Sequence, residues 1–148
     1  MSLLEKMDAD LKQAMMAKNG PKVSTLRFLK SAVKYSAIEK RSETLGDAEV
    51  CQIIQKQIKQ HRESIEQFTK GGRKELAEKE AVEMKILESY LPAQLEDQEL
   101  QDFVAAEARQ AGADSKKDFG RIMKILSEKL AGKADGKRIS QVLGAILK

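Results

Sequence analysis

The segment "YLPAQLEDQEL", residues 90–100, decides how the chain is divided. Proline disfavours helical geometry in the residue before it, so a helix that approaches this segment has to stop before Pro92. Apolar residues at helical spacing resume only at Leu100. We therefore predict two modules, an N-terminal helical bundle over residues 1–91 and a small three-helix module over residues 96–148.

Helical spacing of apolar residues continues on both sides of this boundary. Four helices are expected before it and three after it. Their markers in chain order are a stop at Asn19-Gly20-Pro21, starts at Val23, Asp47 and about Lys74, a stop at Gly112, an apolar stripe from Phe119, and a cap at Asp135. The composition agrees, since only 4% of residues are aromatic and the chain contains 2 prolines. The sequence therefore predicts an all-α fold.

The N-terminal sequence and the cysteine content indicate the cellular compartment of the protein. Acids stand among the first apolar residues, unlike in a secretory signal, and no stretch of the sequence is long enough to span a bilayer. A single cysteine suits a reducing compartment. We expect a soluble cytoplasmic protein with no membrane partner.

Cys51 and His61 are each the only residue of their type, which excludes a disulfide framework and the common Cys/His zinc sites. No second base or nucleophile stands within helical reach of either residue. We expect Cys51 to be a small buried residue and His61 to be a hydrogen-bonded histidine on the apolar face of the third helix. No metal site is predicted.

Two short motifs near the C-terminus are typical of phosphate chemistry, but both lack the necessary context. Asp118-Phe119-Gly120 spells the magnesium motif of protein kinases without their glycine-rich loop or strand lysine. Residues 132–137 resemble a phosphate loop without its final Gly-Lys-Ser/Thr. A cap at Asp135 would also occupy the amide donors that a phosphate needs. We predict helix starts at both places, with no catalytic residue and no cofactor, and keep a nucleotide-binding loop as the alternative.

Positive charge is concentrated in two segments, although the net charge is only +4. Residues 18–41 carry seven Lys/Arg against one acid, and residues 116–148 carry nine against three. The C-terminal set predicted to contact RNA phosphates consists of Lys116, Lys117, Arg121, Lys124, Lys133, Lys137 and Arg138. A secondary basic stripe on the second helix consists of Arg27, Lys30, Lys34 and Arg41. The shortage of aromatic residues argues against single-stranded RNA as the ligand.

Three separated stretches resemble the YqeY family and together cover nearly the whole chain. They are "LRFLKSAVKYSAIEKR" (residues 26–41), "KQIKQHRESIEQFTKGGRKELAEKEAVEMKILESYLPAQL" (residues 56–95) and "DFGRIMKILSEKLAGKADGKRISQVLGAIL" (residues 118–147). That family is in turn similar to the helical tail of GatB, the B subunit of the tRNA-dependent amidotransferase. The resemblance implies a helical bundle followed by a three-helix, GatB-tail-like module. His61 departs from the family pattern, which commonly has a basic residue there.

The resemblance also bounds the expected activity. The amidase subunit and the catalytic cradle of the amidotransferase have no counterpart in this chain, and the tail looks like its tRNA-contacting element. The family label "carbon-nitrogen ligase with glutamine as amido donor" is therefore expected to describe the full-length relative.

Three functional readings follow. The chain is a non-catalytic module that binds tRNA or another structured RNA; or an accessory to glutamine-dependent tRNA amidotransferase, with amidotransferase or aminoacyl-tRNA synthetase subunits as partners; or a protein-interaction adaptor that binds no RNA.

Overall fold

The computed structural model describes residues 2–147, and the all-α prediction is confirmed. This part of the chain contains seven α-helices, one 3-10 turn and no β-strand. The helices are α1 (Leu3–Met16), α2 (Gly20–Glu39), α3 (Asp47–Lys70), α4 (Lys74–Glu88), α5 (Asp97–Gln110), α6 (Phe119–Lys129) and α7 (Gly136–Ile146), and the 3-10 turn is Lys116–Asp118. No helix in the described range is long and apolar enough to cross a bilayer. The chain divides into two compact units, Met1–Leu91 and Pro92–Lys148.

The N-terminal unit is organised around a hairpin of α3 and α4. These two long helices pack against each other and are joined at Gly71-Gly72, where Gly72 has a positive φ of 73°. Helices α1 and α2 pack beside them. The buried core of this unit contains Met7, Leu26, Leu29, Val33, Ala37, Leu45, Val50, Ile54, Ile58, Leu87 and Tyr90. The Tyr90 hydroxyl donates a hydrogen bond to Asp10 Oδ2 at 2.6 Å, which ties the end of this unit to α1.

The turn between α1 and α2 differs from the sequence prediction. Asn19 does not end α1: it caps α2, because its Oδ1 accepts a hydrogen bond from the Lys22 amide at 3.3 Å. Gly20 and Pro21 are then the first residues of α2, a position that suits proline since no amide donor is needed there. Lys18, with a φ of 55°, takes the left-handed conformation that reverses the chain.

The C-terminal unit buries one apolar face of each of its helices. Leu100, Val104, Ile122, Leu126, Leu130, Ala134, Ile139, Leu143 and Leu147 form its core. Asp135 caps α7 as predicted, since its Oδ1 accepts from the Arg138 amide at 2.8 Å. Phe119 begins α6, so the kinase-like tripeptide is a helix start. The loop before α7 turns at the buried Gly132, whose φ of 81° favours glycine.

Candidate functional site

The C-terminal basic set is spread over three elements of its unit. Lys116 and Lys117 lie in the 3-10 turn, Arg121 and Lys124 lie three residues apart on the exposed side of α6, and Lys133 is in the loop before α7. Lys137 and Arg138 occupy the first turn of α7. The set therefore shares one unit but no single helix face.

Two arginines of this set have partners within the protein. Arg138 Nη2 donates to the Leu95 carbonyl oxygen at 2.8 Å and to Asp97 Oδ1 at 3.0 Å. Arg121 donates to the Ala111 carbonyl oxygen at 3.2 Å and to Asp118 Oδ1 at 3.1 Å, and the hydrogen bond to Asp118 lowers the pKa of that carboxyl. Both guanidinium groups thus fasten chain segments together. They are less available to a ligand than their sequence positions predict.

The five lysines of the set are exposed and, unlike its two arginines, form no ion pair among the described residues. Lys116, Lys117, Lys124, Lys133 and Lys137 are all exposed. None of them forms an ion pair within residues 2–147. Neighbouring Lys129 is instead paired with Glu107 at 2.9 Å. The unpaired lysines are the members of the set that can donate hydrogen bonds to a phosphate without breaking an existing ion pair.

The second basic stripe stands beside exposed apolar side chains on α2. Phe28 is 62% exposed, Tyr35 is 65% exposed and Ile38 is 67% exposed. Arg27 precedes Phe28 and Lys34 precedes Tyr35. A seven-residue spacing is nearly two helical turns, so the two cations and the two aromatic rings form neighbouring rows along the helix. These two cations and two rings, together with Ile38, are called the α2 surface.

The other two residues of this stripe differ from Arg27 and Lys34. Lys30 is paired with Asp8 at 2.8 Å, with both side chains about half exposed. Arg41 lies beyond the end of α2 with a φ of 53°. Arg27 Nη2 lies 4.0 Å from Met15 Sδ, at the end of α1. Lys34 and Arg27 are therefore the stripe residues that accompany the aromatic row.

The exposed aromatic row is what sequence reasoning missed. The low aromatic content of the sequence argues against base stacking, but Phe28 and Tyr35 both lie on the surface. The signal was present in the sequence: both rings fall opposite the buried stripe of Leu26, Leu29 and Val33. Aromatic residues at that angle cannot join the core that the stripe forms.

Cys51 and His61 have the environments that the sequence predicted. Cys51 is 5% exposed, and burial raises the pKa of its thiol, with a smaller contribution from the charge of Asp47. His61 is half-buried, and its Nδ1 forms a hydrogen bond with a Glu80 carboxylate oxygen.

Comparison with known proteins matches the chain to a described family over nearly its whole length. The sequence model of the family described as "Yqey-like protein" matches residues 4–147. Curated relatives share the name "Altered inheritance of mitochondria protein 41, mitochondrial". The Pyrenophora tritici-repentis protein is 30% identical over 151 residues, covering 97% of this chain and 82% of the relative.

Two other relatives match over a shorter region. The Eremothecium gossypii protein is 39% identical over 84 residues, covering 57% of this chain and 46% of the relative. The match to the Kluyveromyces lactis protein has the same identity and covers 57% of this chain and 45% of that relative. The matches thus span less than half the length of these two relatives.

The names of these relatives contradict the expectation of a cytoplasmic protein. All three are named as mitochondrial. The prediction rested on a single cysteine and on the lack of a secretory signal. Neither feature distinguishes the cytoplasm from another reducing compartment. The cytoplasmic assignment was therefore wrong.

Proposed function

The chain belongs to the Yqey-like protein family, and from this premise we propose that it is a non-catalytic helical module that binds structured RNA, with tRNA as the ligand to test. The observation that carries the proposal is the α2 surface, on which two cations run beside two exposed aromatic rings. The five unpaired lysines of the C-terminal unit supply a second group of phosphate contacts.

Both halves of the α2 surface suit RNA. Lys34 and Arg27 have no carboxylate partner in the described chain, so contact with a phosphate would cost them no existing ion pair. Such contacts release counterions and give most of the affinity for a nucleic acid. Tyr35 and Phe28 present ring faces on which an unpaired base of an RNA loop can stack. A tRNA offers phosphates and unpaired loop bases together.

A protein-interaction adaptor is the second candidate, because a specific observation favours it. Met15 and Met16, at the end of α1, are 49% and 84% exposed, and Ile38 extends the apolar row on α2. Exposed methionine and aromatic side chains suit adaptable protein interfaces. If the partner is a subunit of an amidotransferase or an aminoacyl-tRNA synthetase, the chain would act as an accessory to tRNA-dependent chemistry.

The test is a titration of tRNA into the full chain at about 50 and 200 mM salt, a range over which six phosphate contacts cost around a thousandfold in affinity. Bulk tRNA and mitochondrial tRNA are both used, since the curated relatives are named as mitochondrial. We expect binding at low salt that weakens steeply with salt. No binding at low salt refutes the RNA proposal.

Matched variants locate the contact. Arg27→Ala/Lys34→Ala should reduce the salt slope by about two, because each lost phosphate contact removes about one. Lys79→Ala/Lys85→Ala removes the same charge from exposed, unpaired positions of α4 and should change the slope little. Equal effects of the two variants would mean that net charge alone drives binding and would refute the α2 surface.

Tyr35→Ala tests the aromatic row in both candidates, which differ in the molecule that is bound and in the salt dependence of its binding. Loss of one stacked base corresponds to about 1–3 kcal/mol, or roughly 5-fold to 150-fold in affinity. An adaptor predicts instead a protein partner that remains bound at high salt and is released by Tyr35→Ala. Tyr35 is preferred to Phe28 for this test because Phe28 also lines a cavity of the N-terminal unit.

A further inference from the structure

The α3–α4 hairpin brings three potential metal ligands together. His61 Nδ1 is hydrogen-bonded to Glu80 and lies 3.9 Å from Glu83 Oε2. One ligand atom from each of these residues can be chosen so that all three lie within 4.8 Å of one another. Their side chains are 15%, 26% and 16% exposed, so the cluster is mostly withdrawn from solvent.

Gln57 supplies an independent observation at the same place. It is 5% exposed, and its Oε1 atom has no hydrogen-bond partner among the described residues. It lies one turn before His61 on α3 and lines a cavity of about 190 Å³ together with His61, Glu83, Ser24, Thr25 and Phe28. A buried carbonyl oxygen without a donor is unfavourable. A cation, or a water bound to one, would satisfy it.

We propose that His61, Glu80 and Glu83 bind a divalent first-row transition-metal ion, with the amide oxygen of Gln57 facing the ion or its bound water. One imidazole and two carboxylates form a ligand set that suits Zn²⁺ and its neighbours better than Mg²⁺ or Ca²⁺, which take oxygen ligands alone. Gln57 is the carbonyl that nothing else in the described chain engages.

The geometry is close to what such an ion needs. Zinc binds imidazole nitrogen and carboxylate oxygen at about 2.0–2.2 Å in a tetrahedral arrangement, which places the ligand atoms roughly 3.4 Å apart. The 3.9 Å between His61 Nδ1 and Glu83 Oε2 is about half an ångström longer than that, and the ligand atoms of the three residues lie within 4.8 Å of one another. Entry of the ion would replace the direct contact between His61 and Glu80. Ligands on facing helices at spacings of three or four residues also build the metal sites of helical bundles.

His61 is far in sequence from the other two residues of the cluster, which are glutamates, so the single cysteine and the single histidine do not indicate a metal site. Glu80 and Glu83 are three residues apart on α4, on the face that α4 turns toward α3. They follow His61 by 19 and 22 residues, so only the hairpin turn at Gly71-Gly72 makes the three residues neighbours.

The alternative is that His61 only forms polar contacts with the two carboxylates and binds no metal ion. His61→Arg distinguishes these readings, because arginine keeps a polar contact with Glu80 and Glu83 but cannot bind a metal ion. The wild-type chain is stripped with chelator and titrated with Zn²⁺ by calorimetry. Co²⁺ is added in parallel, and its visible absorption reports the coordination.

We expect saturable one-to-one binding of Zn²⁺ to the wild-type chain. Binding should be at least about tenfold weaker in Glu83→Gln and absent in His61→Arg. Glu63→Gln is the matched control, since Glu63 is an exposed carboxylate on α3 outside the cluster, and it should bind like wild type. Absence of saturable binding to wild type overturns the proposal. Equal binding by wild type and His61→Arg, with melting curves showing both folded, also overturns it.

Discussion

Replacing Arg138 by alanine should destabilise the C-terminal unit, although the sequence suggests a residue that serves only to contact RNA. Its guanidinium bridges the first turn of α7 to the segment before α5, through the Leu95 carbonyl oxygen and Asp97. Alanine removes both hydrogen bonds. It leaves the part-buried Leu95 carbonyl oxygen without this donor.

The size of the effect follows from the two partners. A hydrogen bond from a charged donor contributes about 1.5–3 kcal/mol when it is shielded, and the Arg138 side chain is only 31% exposed. The Asp97 side chain is 93% exposed, so that ion pair adds between about 0 and 1 kcal/mol. We expect a loss of about 2 kcal/mol. For a unit of this size, the melting temperature should fall by about 8–16 °C.

The assay is thermal unfolding of the full chain by circular dichroism, with Lys137→Ala as the control. Lys137 precedes Arg138 in the same turn of α7, is exposed, and has no ion pair in the described chain. Its replacement should change stability by less than about 0.5 kcal/mol. If the two variants melt at the same temperature, Arg138 does not hold the unit together and the reasoning is refuted. A tRNA affinity that falls more for Arg138→Ala than for Lys137→Ala would then assign the guanidinium to the ligand.

Two further predictions concern other polar contacts. Burial, and then the hydrogen bond to Asp10, raises the pKa of Tyr90. The protonated Tyr90 side chain therefore stabilises the fold fully below the ordinary tyrosine pKa of about 10, and this contribution to stability is lost as the pH rises beyond it. Tyr90→Phe should therefore lower stability at pH 7 by about 1 kcal/mol, and urea unfolding should show the difference from wild type narrowing above about pH 10. Asp135→Ala should cost about 1 kcal/mol by loss of the α7 cap, whereas thermal unfolding of Asp135→Asn should be nearly unchanged, because asparagine caps as well.

Features set by neighbours in sequence could be predicted. The apolar stripe of α6 and the Asp135 cap of α7 depend on residues within two turns of one another. The position of Pro92 requires α4 to end before it, and α4 ends at Glu88. The α1–α2 turn was assigned to the wrong helix because Asn-Gly-Pro signals both an end and a start. Only the structure shows that the chain reverses at Lys18, which has a positive φ, so that Asn19 begins the next helix.

Contacts between distant residues could not be predicted. Arg138 binds Leu95 and Asp97, which are 43 and 41 residues away in sequence. The sequence shows only that Arg138 is basic, and this favours the prediction of a phosphate ligand. The partners of His61 are nearer to it in sequence. An antiparallel pairing of α3 and α4 about Gly71-Gly72 would have predicted that Glu80 lies opposite His61. The buried Gln57 Oε1 atom without a hydrogen-bond partner could be found only in the structure, because burial depends on all the surrounding helices.

The buried Cys51 has a practical consequence for studying this protein. A thiolate is the species that reacts with maleimides and with disulfide reagents, and a raised pKa together with burial leaves little of it accessible at neutral pH. The wild-type chain is therefore a nearly unreactive background for thiol labelling. A second cysteine at an exposed position such as Lys79 could carry a fluorophore while the native cysteine stays in place.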